Sequence, residues 1–207
     1  GTFIDKAIVD SIGDDIDDPG RSTYTVNGGK YNVGTFLRDA TVTNVYGNYT
    51  INDDSTKKNY WNSGLLLQKS TVTNVRGNYE INGQQNDGIY IDKDSKITNI
   101  RYSNFKVNGQ NSNGIFAERT PISTILATTF NVTKNNSTGI TIFDKDNSAA
   151  PVTKMTAVDF NISGESATSF SGNSGIYLRR SGGLTLSGGT ANGYDSRFKL
   201  SNGATGI

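Results

Sequence analysis

The sequence predicts an all-β chain folded as a right-handed single-stranded parallel β-helix, a solenoid with three short strands per rung, and three recurring phrases carry that prediction. A glycine followed by an apolar–variable–apolar strand reads GTFL from Gly34, GLLL from Gly64, GIYI from Gly88, GIFA from Gly114, GITI from Gly139 and GIYL from Gly175. Most of these are followed by an apolar-Thr-Asn-apolar unit, VTNV at Val42 and Val72 and ITNI at Ile97, loosened to ISTI at Ile122 and VTKM at Val152. An aromatic strand closes each repeat: NYTIN at Asn48, NYEIN at Asn78, NFKVN at Asn104, TFNVT at Thr129 and DFNIS at Asp159. Self-similarity at such a period marks stacked supersecondary units.

The glycines stand 30, 24, 26, 25 and 36 residues apart, and Gly206-Ile207 begins a further copy. Within a phrase the large apolar residues alternate, as in Ile89 and Ile91 or Tyr79 and Ile81, the period of a half-buried strand. One rung cannot bury its inner face alone, so copies stack, and each strand pairs with its equivalent about 4.8 Å away. A leucine-rich repeat would need a dense Leu frame, and a propeller blade about 40 residues with antiparallel hairpins. Neither pattern is present.

Stacking converts equivalent positions into columns. Tyr49, Tyr79, Phe105, Phe130 and Phe160 form an aromatic column expected in the core. Asn44, Asn74 and Asn99 are expected in the bend between two strands, where amides satisfy one another and the backbone. Thr43, Thr73, Thr98, Ser123 and Thr153 read as an outward β-branched column.

Residues 1–33 fit the repeat poorly: GDDIDDPG from Gly13 reads as an acidic turn, and only YTVNG from Tyr24 resembles a rung strand. The expected organisation is an irregular N-terminal cap over 1–33 and a β-helix over 34–207 whose last rung is incomplete. Open solenoid ends expose strand edges, so a longer parent chain or covering partners are expected.

Only 33% of the 207 residues are hydrophobic, a low value that suits a narrow solenoid core. A formal charge of +1 gives no electrostatic case for nucleic acid, and no apolar run approaches the roughly 18 residues of a membrane span. With no Cys and no His, neither thiol catalysis, a Ser-His-Asp triad nor a histidine-ligated zinc site can be built within the chain. No cofactor or metal is expected. Asp14, Asp15, Asp17 and Asp18 lack a calcium-loop pattern and read as a solvated turn.

Two neighbouring columns could carry function. The outward residue of the glycine phrase gives Phe36, Leu66, Tyr90, Phe116, Thr141 and Tyr177, a contiguous apolar patch that suits either sugar rings or a subunit interface. Charges collect just after it: Arg38-Asp39, Gln68-Lys69, Asp92-Lys93-Asp94, Glu118-Arg119, Asp144-Lys145-Asp146 and Arg179-Arg180. Adjacent rungs would set Asp92 near Glu118 at about the separation of a retaining glycosidase, and Asp92 and Asp144 near the long edge of the inverting range. The same mixture of signs also describes a solubilising charge ladder.

The Gly-Ile-x-Ile, Val-Thr-Asn-Val and Asn-Phe-x-Val phrases resemble the rungs of pectin-lyase-like right-handed β-helices over residues 34–207. The Cys-free, Gly/Asn/Thr-rich texture and variable rung length most resemble bacteriophage tailspikes. That resemblance implies a homotrimer on a virion tail, or another extracellular or cell-surface location, that binds and cleaves a bacterial surface polysaccharide. On it, Tyr90, Phe116 and Tyr177 would be sugar platforms, Arg119 and Arg180 would hold acidic or hydroxyl groups, and Asp92, Glu118 and Asp144 would supply the acid and its partner. No pectate lyase or polygalacturonase signature is matched. Two alternatives stay open: a non-enzymatic shaft, adhesin or autotransporter passenger, and a monomeric polysaccharide lyase or epimerase.

Overall fold

The computed structural model of the chain describes residues 1–13, 22–52, 61–119, 122–143, 153–163, 173–179, 184–187, 196–201 and 204–207. Among these residues the strands form three seven-stranded, all-parallel sheets, wound as a right-handed β-helix with three strands per rung. The first sheet stacks Thr2–Asp5, Val33–Arg38, Ser63–Gln68, Asp87–Ile91, Asn113–Glu118, Thr138–Phe143 and Ser174–Arg179. The second stacks Ile8–Ile12, Thr41–Tyr46, Thr71–Arg76, Lys96–Arg101, Ile122–Leu126, Thr153–Thr156 and Leu184–Ser187. The third stacks Thr23–Asn27, Asn48–Asn52, Asn78–Ile81, Asn104–Val107, Thr129–Val132, Asp159–Ser163 and Arg197–Ser201.

The first rung begins well before the boundary drawn at residue 34. Gly1-Thr2-Phe3-Ile4 repeats the phrase at Gly34, and Thr2, Phe3 and Ile4 pair with Thr35, Phe36 and Leu37. The short strands Ile8–Ile12 and Thr23–Asn27 complete that rung against Thr41–Tyr46 and Asn48–Asn52. Residues 14–21, with the Asp14–Asp18 run, lie outside the described residues. At the other end Ile176 donates its backbone N–H to Gly206, so Gly206 is in register as a further copy of the glycine column.

The core is the inner face of all three sheets. Its axis is an unbroken aromatic stack, Tyr24, Tyr49, Tyr79, Phe105, Phe130, Phe160 and Phe198, with ring centroids 4.7 to 5.0 Å apart and planes within 11° of parallel. The spacing follows from the rung repeat, and each pair is worth about 0.5–1.5 kcal/mol beyond its burial. The glycine of the first phrase exists to admit this stack. A Cβ at Gly88 would meet the Gly114 carbonyl oxygen at 2.6 Å and Phe105 Cδ1 at 3.2 Å.

Tyr49 satisfies its buried hydroxyl against Thr35 Oγ1 at 3.0 Å, whereas the Tyr79 hydroxyl has no hydrogen-bond partner among the described residues. Tyr79→Phe is therefore expected to stabilise the protein by about 1 kcal/mol, because it deletes an unpaired polar atom and keeps the ring. A lower denaturant midpoint for the variant would contradict this.

The corners turn through residues in the left-handed region. Lys6, Asp39, Lys69 and Arg119 do so between the first and second sheets, Tyr102, Ala127 and Ala157 between the second and third, and Tyr31, Gln85, Asn111 and Asn136 between the third and first. Inside the corners, side-chain oxygens replace missing ladder partners: Asn62 Oδ1 accepts from Asn32 N, Asn86 Oδ1 from Asn62 N, and Ser112 Oγ from Asn86 N at 2.9 to 3.2 Å.

Asn44, Asn74 and Asn99 do bond one another, with Nδ2 donating to Oδ1 at 3.0 and 3.1 Å, but within the second-sheet strands and not in a bend between strands. Val42 and Val45 both point inward, so Thr43 and Asn44 face outward together and the strict alternation is broken there. Thr153 leaves the outward Thr column; it is buried, and its hydroxyl donates to the Ile122 carbonyl at 2.8 Å.

Candidate functional site

The outer face of the first sheet carries the apolar column in the expected order. Phe36, Leu66, Tyr90, Phe116, Thr141 and Tyr177 are register partners on successive rungs, and Phe3 extends the column by one. Tyr90 and Phe116 stack at 5.4 Å with planes 7° apart, and Phe3 and Phe36 meet at 5.2 Å, tilted by 36°. Thr141 interrupts the stripe. It is buried between its neighbours and donates its hydroxyl to Asn113 Oδ1 at 2.7 Å. Beyond it Tyr177 is exposed.

The charged turn divides into several local roles. Asp92 holds its own turn together: its carboxylate accepts from Ser95 Oγ at 2.6 Å, from the Asp94 N–H at 3.1 Å and from the Lys69 N–H at 3.3 Å. Glu118, one rung on, accepts instead from the Tyr90 hydroxyl at 2.8 Å. Arg119 adopts the left-handed conformation at φ 59°, and its N–H donates to the Phe143 carbonyl at 2.9 Å. Arg38 and Asp5 form a charge ladder of opposite signs, bidentate at 2.9 and 2.6 Å, and the guanidinium holds the Asp5 carboxyl below its usual range. Asp144 and Arg180 lie outside the described residues. Of the residues expected to act together, the structure joins Tyr90, Phe116 and Glu118; the Asp92 carboxylate is held by other partners.

A pocket that the motif reading passed over opens beside Tyr90, on the near side of the glycine column. Tyr31, Trp61, Leu66, Val33, Ser63, Asp87 and Tyr90 enclose about 290 Å³. Asp87 starts its strand immediately before Gly88, and its register partners are Ser63 on one side and Asn113 on the other. Only 3% of its surface is exposed. Asn113 Nδ2 donates to Asp87 Oδ1 at 2.8 Å, and the Thr141 hydroxyl in turn orients Asn113. Burial pushes the Asp87 carboxyl up to about 7, against the opposing effect of the Asn113 hydrogen bond. Burial and the bond to Glu118 also raise the Tyr90 hydroxyl, which stays protonated as a donor.

The aromatic walls come from the corners. Tyr31 takes the left-handed conformation at φ 59° just before Val33–Arg38, and Trp61 stands just before Ser63–Gln68. Both remain substantially exposed. A sequence signal for this site did exist. The position before the glycine reads Val33, Ser63, Asp87, Asn113, Thr138 and Ser174, with one acid among neutral residues, and the chain's one tryptophan lies on the preceding corner.

The arrangement can stack flat apolar faces, donate and accept hydrogen bonds at one buried carboxyl, and exchange a proton there near neutral pH. Asp87 is the one carboxylate among the described lining residues, so the acid pair of a glycosidase is not assembled inside this pocket. No protein-family model, curated protein or solved structure matches the chain.

Proposed function

We propose that the chain is the polysaccharide-recognising part of a tailspike-like protein, which binds a bacterial surface polysaccharide along the outer face of its first sheet and cleaves it. The observation that carries this reading is the aromatic pocket of Tyr31, Trp61 and Tyr90 running into the half-buried Tyr90–Phe116 stack, with a buried carboxyl among its lining residues. Sugar rings present apolar faces to aromatic planes and hydroxyls to fixed polar groups, and this surface offers both. On this reading Tyr90, Phe116 and Tyr177 are the platforms, Glu118 acts through or beside the Tyr90 hydroxyl, and Asp87 is a further candidate proton donor. Asp92 keeps the turn. The protein would then work on a virion tail or another extracellular surface.

The test is retention and cleavage on panels of capsular polysaccharide and lipopolysaccharide. Tyr90→Ala is expected to weaken binding by about tenfold, since stacking of this kind is worth on the order of 1 kcal/mol or more per ring. Glu118→Gln is expected to lower the release of oligosaccharides while binding persists. Retention of no polysaccharide, or equal retention by Tyr90→Ala, would defeat the proposal.

A second reading is assembly. The stripe runs from Phe3 to Tyr177, with both end residues exposed, farther than one sugar site requires. If copies pack side by side as a homotrimer through this face, light scattering gives three times the chain mass and Tyr177→Ala lowers it, without any effect of Glu118→Gln.

A further inference from the structure

The pocket beside Tyr90 has a composition more particular than a general sugar platform. Three aromatic side chains, Tyr31, Trp61 and Tyr90, surround it; Leu66 and Val33 line it with hydrocarbon; Asp87 gives it one buried carboxyl. No lysine or arginine is among the described lining residues. Aromatic faces carry negative potential, and an aromatic enclosure with a carboxylate is the arrangement that favours an organic cation over a neutral group of the same shape.

We infer that this pocket recognises an organic ammonium group, carried by an amino sugar or by a choline substituent of a glycan. That the ammonium sits on a glycan rests on the function proposed above; the preference for a cation rests on the pocket alone. Among the described residues no cationic group neighbours Asp87. On one side of it stands Ser63, on the other Asn113, along its own strand Tyr90, and from the corners Tyr31 and Trp61. Two further acids face the Tyr90 hydroxyl: Glu118, which is bonded to it, and Asp92, whose charge reaches it. A carboxylate at this depth has lost hydration without gaining a counter-ion among the described residues, so an entering ammonium supplies the missing charge. The hydrocarbon around the ammonium meanwhile packs on Leu66 and the rings.

Protonation gives the site a pH dependence of definite sign. Asp87 titrates at about 7, so acidification below that point neutralises the carboxyl and weakens cation binding. Above it a quaternary ammonium, whose charge does not titrate, binds without proton uptake, whereas an amino sugar must carry its own proton in.

Because the chain holds one tryptophan, Trp61, its emission reports directly on the pocket. The whole chain is titrated with choline, with the dimethylbutanol in which carbon replaces the ammonium nitrogen, with glucosamine and with N-acetylglucosamine, at about pH 8 and about pH 5.5. A saturable change with choline or glucosamine is expected, at least about tenfold tighter than with the matching neutral compound, weaker at the lower pH, and lost in Asp87→Asn. A response to choline alone assigns a quaternary ammonium, and one to glucosamine alone a primary one. Equal response to charged and neutral partners, no response to any of the four, or an Asp87→Asn protein that folds by circular dichroism and keeps the preference overturns the inference. The neutral comparison is made in the unaltered protein and does not depend on the variant folding. Ammonium binding without polysaccharide retention would overturn the proposed function alone; retention without charge preference would overturn the pocket assignment alone.

Discussion

Phe105→Ala is expected to destabilise the protein by about 3–5 kcal/mol, measured as a shift of the urea unfolding midpoint at constant slope. Phe105 is fully buried at the middle of the stack, 4.7 Å from the Tyr79 ring and 4.8 Å from the Phe130 ring. Truncation removes both ring contacts and leaves a cavity that the backbone cannot close, because the rung spacing is set by three sheets at once. Neighbouring glycine cannot refill it: a Cβ on Gly88 would strike the Gly114 carbonyl oxygen at 2.6 Å. Gly88→Ala combined with Phe105→Ala is therefore expected to be worse than Phe105→Ala alone. Since each rung touches only its neighbours, the loss also divides the solenoid, and unfolding should broaden into two steps. A midpoint shift below about 1 kcal/mol would show that the stack carries little of the stability.

Asp87→Asn is expected to stabilise the protein at neutral and alkaline pH, the reverse of its effect on ligand binding. The carboxyl titrates at about 7 in the folded chain, against a model-compound value of 3.8. Between those two values the folded state binds more protons than the unfolded state, so this group's contribution to stability falls as pH rises through the window and is constant above it. The difference corresponds to an upper bound of about 4 kcal/mol. Asparagine keeps an acceptor for Asn113 Nδ2 and has no charge to bury. Thermal melts of the two proteins should diverge from about pH 4 upward and run parallel above about pH 7, with the variant higher. A difference that does not change with pH would mean that Asp87 is not held as a neutral acid.

These two residues also show where the sequence is transparent and where it is not. Phe105 is readable because its column recurs once per rung and its strand alternates. The same logic places Ile89 and Ile91 inside and Tyr90 outside, as observed. It misplaces Asn44, because Thr43 and Asn44 face outward in succession and a period-two count cannot register that break. It passes over the first rung because Thr2–Asp5 and Ile8–Ile12 are short and the link to Thr23–Asn27 is acidic, although Gly1-Thr2-Phe3-Ile4 spells the later phrase. Asp87 shows in the sequence only as the one acid before a glycine of the phrase, and its surroundings do not show, for a different reason. Its partners Tyr31, Trp61 and Leu66 come from two other rungs, and only the stacking brings a corner, a strand start and a mid-strand position to one point.

The uneven rung length has an evolutionary corollary. The interval from Gly34 to Gly64 exceeds the next by six residues, 30 against 24, and the strands of these rungs still pair in unbroken register. Extra sequence is thus accommodated between strands, and residues 53–60, which join Asn48–Asn52 to Ser63–Gln68, lead directly to Trp61. A lineage can rewrite that segment while every inward column keeps its identity. The corners can then diversify quickly, over a core that selection holds nearly still.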